Sequence, residues 1–127
     1  TMDSLSYQTR DMVDAVNKDL ETKAAIIRLD GGAAKNDMIG QFTADILGID
    51  VDRPANVETT AAGAAYLAGL SIGFWKDLSD IQATRKAEKV FKPEMPADKR
   101  KALYAGWMNC IRALEFWGDG AKQAQAI

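Results

Sequence analysis

Ile26-Ile27-Arg28-Leu29-Asp30-Gly31-Gly32-Ala33-Ala34-Lys35-Asn36 decides how the rest of the chain is read. Ala24 to Leu29 is a short apolar run, β-branched at its centre, which suits a buried strand of a parallel sheet. Asp30-Gly31-Gly32 then breaks the chain sharply. From Asn36, the residues Met38, Ile39, Phe42 and Ile46 recur at helical spacing, and Gly48 stands where a C-cap glycine belongs. The stretch therefore reads as strand, glycine turn, helix. Glycine takes positive φ and leaves room for another molecule against the backbone. A helix start offers unpaired N–H groups and the positive end of its dipole to a phosphate. On spacing alone two readings stand open: a phosphate cradle, or a plain turn with Asn36 as N-cap and no ligand. The stretch matches neither the Walker motif nor the dinucleotide fingerprint.

Working outward, Leu5, Met12, Val13, Val16 and Leu20 predict an amphipathic helix from Asp3 to about Asp19. Ile49 to Asp52 is a second strand, ended by Arg53-Pro54. Thr59 or Thr60 is expected to cap a helix from Ala61 to about Gly69. A short helix is expected over Lys76 to Ala83 and an extended stretch over Ala87 to Phe91. Leu103, Trp107, Ile111 and Leu114 mark a last long helix, and the tail from Gly118 is expected to fray. Helix and strand in alternation argue for an α/β fold with a parallel sheet. Two short strands do not complete such a sheet, and the text opens inside a helical pattern. Both features read as a piece of a longer protein.

Composition narrows the chemistry. The 127 residues include no histidine and one cysteine, Cys110, with a formal net charge of -2. No Ser-His-Asp triad, no Cys-His protease site and no His-ligated zinc or haem arises within this chain. One cysteine makes no internal disulfide, which fits a reducing, cytoplasmic compartment. Thr59 to Trp75 is uncharged and rich in small residues, but short of the ~20 residues that span a bilayer, and it reads as a buried helix. Arg85 to Lys101 is basic, with interleaved Glu88, Glu94 and Asp98. It reads as a solvated segment rather than a nucleic-acid patch, since no stacking aromatics accompany it. Tyr104, Trp107, Phe116 and Trp117 are expected to pack, with Cys110 a small packing residue beside them. Asp50 and Asp52 lie beside Arg53 at a strand end, where surface solvation explains them as well as acid/base work does.

Taken together, several strings resemble one family. Ser4-Leu5-Ser6-Tyr7-Gln8-Thr9-Arg10-Asp11-Met12 and Leu29-Asp30-Gly31-Gly32 with Asn36 look like segments of the FGGY carbohydrate kinases. So do Gln41 to Gly48, Arg53-Pro54, Glu58-Thr59-Thr60, Gly63 to Leu70, Gly73-Phe74-Trp75 and Tyr104-Ala105-Gly106-Trp107. The resemblance covers residues 3 to 117. Ala62, where the family usually has Leu, and the loop Glu94 to Ala102 depart from its pattern.

The resemblance implies an actin-like ATPase fold, two RNase H-like α/β domains closing over a cleft. Residues 1–117 would be the C-terminal part of the second domain, on its nucleotide-binding side, and 118–127 a flexible tail. It implies transfer of the γ-phosphoryl of MgATP to a hydroxyl. The Tyr-Gln-Thr-Arg-Asp string and Gly73-Phe74-Trp75 favour glycerol as acceptor, giving sn-glycerol 3-phosphate, over xylulose, ribulose or gluconate. Gly32 would bring its backbone N–H to the nucleotide phosphates, Gly31 would permit the close approach, and Asn36 would contact the nucleotide near its base. No catalytic residue and no metal ligand is assigned to this stretch, since the family's general base and phosphate loops belong elsewhere in the enzyme. A cytoplasmic homo-oligomer, dimer or tetramer, is implied, with neither nucleic acid nor membrane insertion. A non-catalytic module using the basic 85–101 segment is the competing reading.

Overall fold

The computed structural model describes residues 2–20, 23–55, 58–84 and 87–125. Helix α1 covers Asp3–Asp19, strand β1 Ile26–Arg28, a 3-10 turn Gly32–Lys35, helix α2 Asp37–Leu47 and strand β2 Asp50–Pro54. Helix α3 (Thr59–Ser71), helix α4 (Leu78–Thr84), strand β3 (Ala87–Phe91) and helix α5 (Ala97–Gln125) follow. The chain divides into two compact units, Thr1–Glu94 and Met95–Ile127.

In the first unit the strands form one sheet in the order β1-β2-β3. β1 and β2 run parallel, with Ile26 opposite Asp50 and Arg28 opposite Asp52. β3 returns antiparallel to β2, with Val51 opposite Phe91. The sheet is therefore mixed, where strand and helix alternation predicts a parallel one. The α2 crossover enforces parallel pairing of β1 and β2. The longer excursion through α3 and α4 leaves β3 free to come back along β2.

Val51 and Phe91 on neighbouring strands and Ala44 on α2 are buried together, with Ile27, Leu29 and Leu47 packed around them. Gly40 lets α2 approach this cluster closely, because a Cβ there would lie 2.4 Å from the Phe91 ring. α1 crosses α2 through a buried hydrogen bond, Ser6 Oγ to Thr43 Oγ1 at 2.9 Å. Tyr7 meets Phe42 edge to face, ring centroids 5.6 Å apart. Arg10 Nη1 donates to the Ile46 carbonyl at 3.2 Å, near the C-terminal end of α2. Gly48 takes the left-handed cap conformation there, its N–H donating to Ala44 O at 2.8 Å.

Four expectations need correction. Asp52 and Arg53 are not solvated: they are 4% and 6% exposed, because the central strand of the sheet buries both. Thr59 is the first residue of α3 rather than its cap, and its hydroxyl donates to the Asp30 carboxylate instead. α3 is not a buried helix: Ala64, Ala65, Leu67 and Ala68 are exposed and Gly69 alone of its residues is buried, under the Trp75 ring. Small residues allow close packing only where a partner lies, and Trp75 covers one turn. Cys110, Phe116 and Trp117 are exposed rather than packed, Cys110 one position off the half-buried stripe Leu103, Trp107 and Ile111. In the second unit α5 runs on through Gly118 to Gln125, where good helix formers (Ala121, Lys122, Gln123, Ala124) continue it. Of the basic segment, Arg85 and Lys86 lie outside the described residues.

Candidate functional site

The glycine turn sits at the C-terminal end of β1, the edge of a parallel pair where open α/β sheets take their ligands. Leu29 still belongs to the sheet, its N–H donating to Asp52 O at 2.9 Å. Gly31 then turns the chain with φ 78° and ψ 176°, a region open in practice to glycine. Ala34 N donates back to Gly31 O at 3.1 Å and Asn36 N to Ala33 O at 3.1 Å, so Gly32–Lys35 winds as a 3-10 turn. A Cβ at Gly31 or Gly32 would meet no atom within 4 Å. Among the described residues both glycines thus face open space, and neither is small for the sake of packing.

Asn36 is the N-cap of α2: its Oδ1 accepts from Met38 N at 2.9 Å. Its Nδ2 makes a weak contact to Met2 Sδ at 3.6 Å. The capping reading of Asn36 is therefore correct as far as Oδ1 goes, while Nδ2 spends little on its neighbour.

Beside the turn, a cavity of about 560 Å³ opens at the ends of both parallel strands. Leu29 and Asp30 after β1, Pro54 at the end of β2, Thr59 and Tyr66 of α3 and Ile81 of α4 line it. The structure brings Gly31, Gly32 and Asn36 into one continuous turn next to this cavity, but none of the three lines it. The Asp30–Thr59 hydrogen bond ties the mouth of the cavity to the first turn of α3.

Beneath the turn lies a charged cluster that spacing did not bring out. Arg53 Nη1 donates to Ala34 O at 3.1 Å, to Lys35 O at 3.2 Å and to Asp37 Oδ1 at 2.8 Å. Its Nη2 and Nε lie 3.4 and 3.2 Å from the two oxygens of Glu88, the Nε contact being ionic without hydrogen-bond alignment. The guanidinium also stands 5.5 Å from the centroid of the Phe91 ring. Lys89 Nζ donates to Asp37 Oδ2 at 2.7 Å. That ammonium first, and Arg53 second, hold the Asp37 carboxyl below the usual carboxylate range. One signal in the sequence pointed here: Asp50, Asp52 and Arg53 stand in one short strand, of which Val51 to Pro54 are buried. Among the described residues, no three Asp, Glu or Cys side chains converge as a metal site would require. No described helix is long and apolar enough to cross a membrane.

The chain is 48% identical over 123 residues to a glycerol kinase of Enterococcus casseliflavus, spanning 97% of the chain and 24% of that enzyme. It is 52% identical over 125 residues to a glycerol kinase of Pediococcus pentosaceus, spanning 98% and 25%. The chain thus spans about a quarter of the length of the curated relatives it matches. Among solved structures, Plasmodium falciparum glycerol kinase with ADP superposes with a TM-score of 0.76 at 29% identity, covering 88% of this chain and 22% of that one. Gluconate kinase from Lactobacillus acidophilus superposes at 0.70 with 23% identity, over 89% of this chain and 22% of that one, a likeness of fold alone. Residues 1–72 match the model of the C-terminal domain of the FGGY carbohydrate kinases, and the chain belongs to that family.

Proposed function

We propose that this chain supplies the nucleotide-holding turn of an ATP-dependent glycerol kinase, which transfers the γ-phosphoryl of MgATP to a terminal hydroxyl of glycerol. The observation that carries the reading is the Gly31–Gly32 turn: it stands at a parallel strand end, faces open space and needs no glycine for its own packing at Gly32. Near-half identity to glycerol kinases along almost the whole chain supports glycerol as the acceptor over xylulose, ribulose or gluconate. In this reading the Gly32 N–H donates to a phosphate oxygen and Gly31 clears the approach. Asn36 keeps Oδ1 on its cap and turns Nδ2, now against Met2 Sδ, to an acceptor on the base.

Phosphoryl transfer asks mainly for positioning and for charge neutralisation around the phosphates. Backbone N–H groups at the turn provide part of both without a side chain. Magnesium suits a site where phosphates and waters complete its shell, with one or two carboxylates from the protein. In this reading the share of this chain is donors to the phosphates, and no metal ligand is assigned to it. The general base belongs to another part of the enzyme, which we place in the cytoplasm as a homo-oligomer.

The test is turnover of ATP by the whole enzyme with glycerol, xylulose, ribulose and gluconate in turn. Glycerol is expected to be preferred, and equal or better turnover of a sugar would overturn the acceptor assignment. This chain by itself is expected to show no glycerol-dependent turnover of ATP.

A further inference from the structure

We infer that Arg53 is a positioning residue for the nucleotide turn, setting the shape of Gly32–Lys35 from beneath without touching the nucleotide. The inference rests on the nucleotide reading of that turn. A 3-10 turn ends with carbonyls that have no partner of their own. Here the two last ones, of Ala34 and Lys35, both receive Arg53 Nη1. The same nitrogen reaches Asp37 in the first turn of α2. One rigid group therefore joins the end of the phosphate-facing turn to the start of the next helix.

The guanidinium is itself held from the other side. Glu88 on β3 takes Nη2 and approaches Nε, and the Phe91 ring lies against it. Arg53 stands on β2, paired with Lys89 across the sheet. The turn is thus tied to two strands through one side chain that is 6% exposed. An arginine is suited to this post, since its planar fork offers several donors in fixed directions and stays charged when buried. A lysine presents one nitrogen on a flexible stem and cannot serve both Glu88 and the two carbonyls. Gly31 and Gly32 have no side chains to hold their backbone in place, so the orientation of the Gly32 N–H depends on what grips the turn below.

The experiment compares Arg53→Lys, Glu88→Gln and Gly32→Val in the whole enzyme, reading KM for ATP, KM for glycerol, kcat and Tm. Arg53→Lys is expected to raise KM for ATP about tenfold, the size of one lost charge-assisted hydrogen bond, with KM for glycerol unchanged. Glu88→Gln touches Arg53 but not the turn, and half-exposed Glu88 is expected to transmit about threefold in KM for ATP with Tm unchanged. A purely structural Arg53 would lower Tm and leave the two KM values, or move both together; either result overturns the inference. Should Arg53→Lys not fold, Glu88→Gln decides alone: an unchanged KM for ATP rejects the positioning role. If Gly32→Val leaves KM for ATP unchanged, the nucleotide reading itself fails. If Gly32→Val raises it while the other two variants do not, the positioning inference fails by itself.

Discussion

If Gly32 holds the nucleotide as proposed, replacing it by valine separates nucleotide binding from folding, because the position has room among the described residues. A Cβ at Gly32 meets nothing within 4 Å. Its φ lies outside the left-handed range, in which Gly31, Gly48 and Gly73 fall. The cost to folding is then confined to backbone preference and is expected within about 1 kcal/mol. In the proposed reading, the branched side chain would stand in the path of the phosphate, and the N–H···O contact would be lost. A hydrogen bond to a charged group contributes about 1.5–3 kcal/mol, and each 1.4 kcal/mol is tenfold, so ATP affinity should fall about 10- to 150-fold. Gly31→Ala is the contrasting variant. With φ 78° and ψ 176° its backbone is strained for any L side chain, at about 1–3 kcal/mol, and stability should fall as well as affinity. Calorimetric titration of the whole enzyme with ATP, paired with thermal melts, reads both quantities. Parental ATP affinity in a folded Gly32→Val enzyme would refute the reasoning. So would a loss of Tm as large as that of Gly31→Ala, since Gly32 would then be packed against something after all.

Three further outcomes follow from the packing. Asp37→Asn removes a carboxyl held below its ordinary value of 3.8 by Lys89 and Arg53. A depressed carboxyl stabilises the fold above the ordinary range and ceases to do so as pH falls through the depressed value. Melts of parent and variant should therefore differ at neutral pH and converge as acidification passes below the ordinary carboxylate range; a difference that grows in acid would contradict the ion-pair assignment. Ser6→Ala and Thr43→Val each strand the other buried hydroxyl of a 2.9 Å pair, and each should cost about 1–3 kcal/mol, while the double variant costs less than the two together; strictly additive losses in denaturant melts would count against the bond. Gly40→Ala drives a methyl into the Phe91 ring, 2.4 to 2.8 Å from three of its atoms, and should cost about 1–3 kcal/mol; an unchanged denaturation midpoint would mean that the ring yields freely.

Much of this was legible because it depends on neighbours in sequence. The apolar period of α1 locates that helix over Asp3–Asp19, as found. Gly31, Gly32, Asn36 and Gly48 announce a turn, a start and a stop, and each does that work in the structure. These are local backbone requirements, met or not within about four residues. The FGGY resemblance rests on the same strings, which is why the family was legible too. What stayed hidden concerned partners far along the chain. Thr59 looks like a cap from its neighbours, yet its hydroxyl turns to Asp30, 29 positions away. α3 looks like a helix to be buried, since composition reports what a surface can pack against and not whether a partner is there.

Arg53 marks the division between the two kinds of information most clearly. That a glycine turn follows a strand and opens a helix could be read from the residues alone, because conformational freedom and capping chemistry belong to the residues themselves. What holds that turn could not be read from them. Whether Arg53 faces water or lies under Ala34 and Lys35 depends on β2 becoming the central strand, with β1 parallel on one side and β3 antiparallel on the other. Sheet order sets burial, and burial turns a charge that reads as solvated into a clamp that must find acceptors.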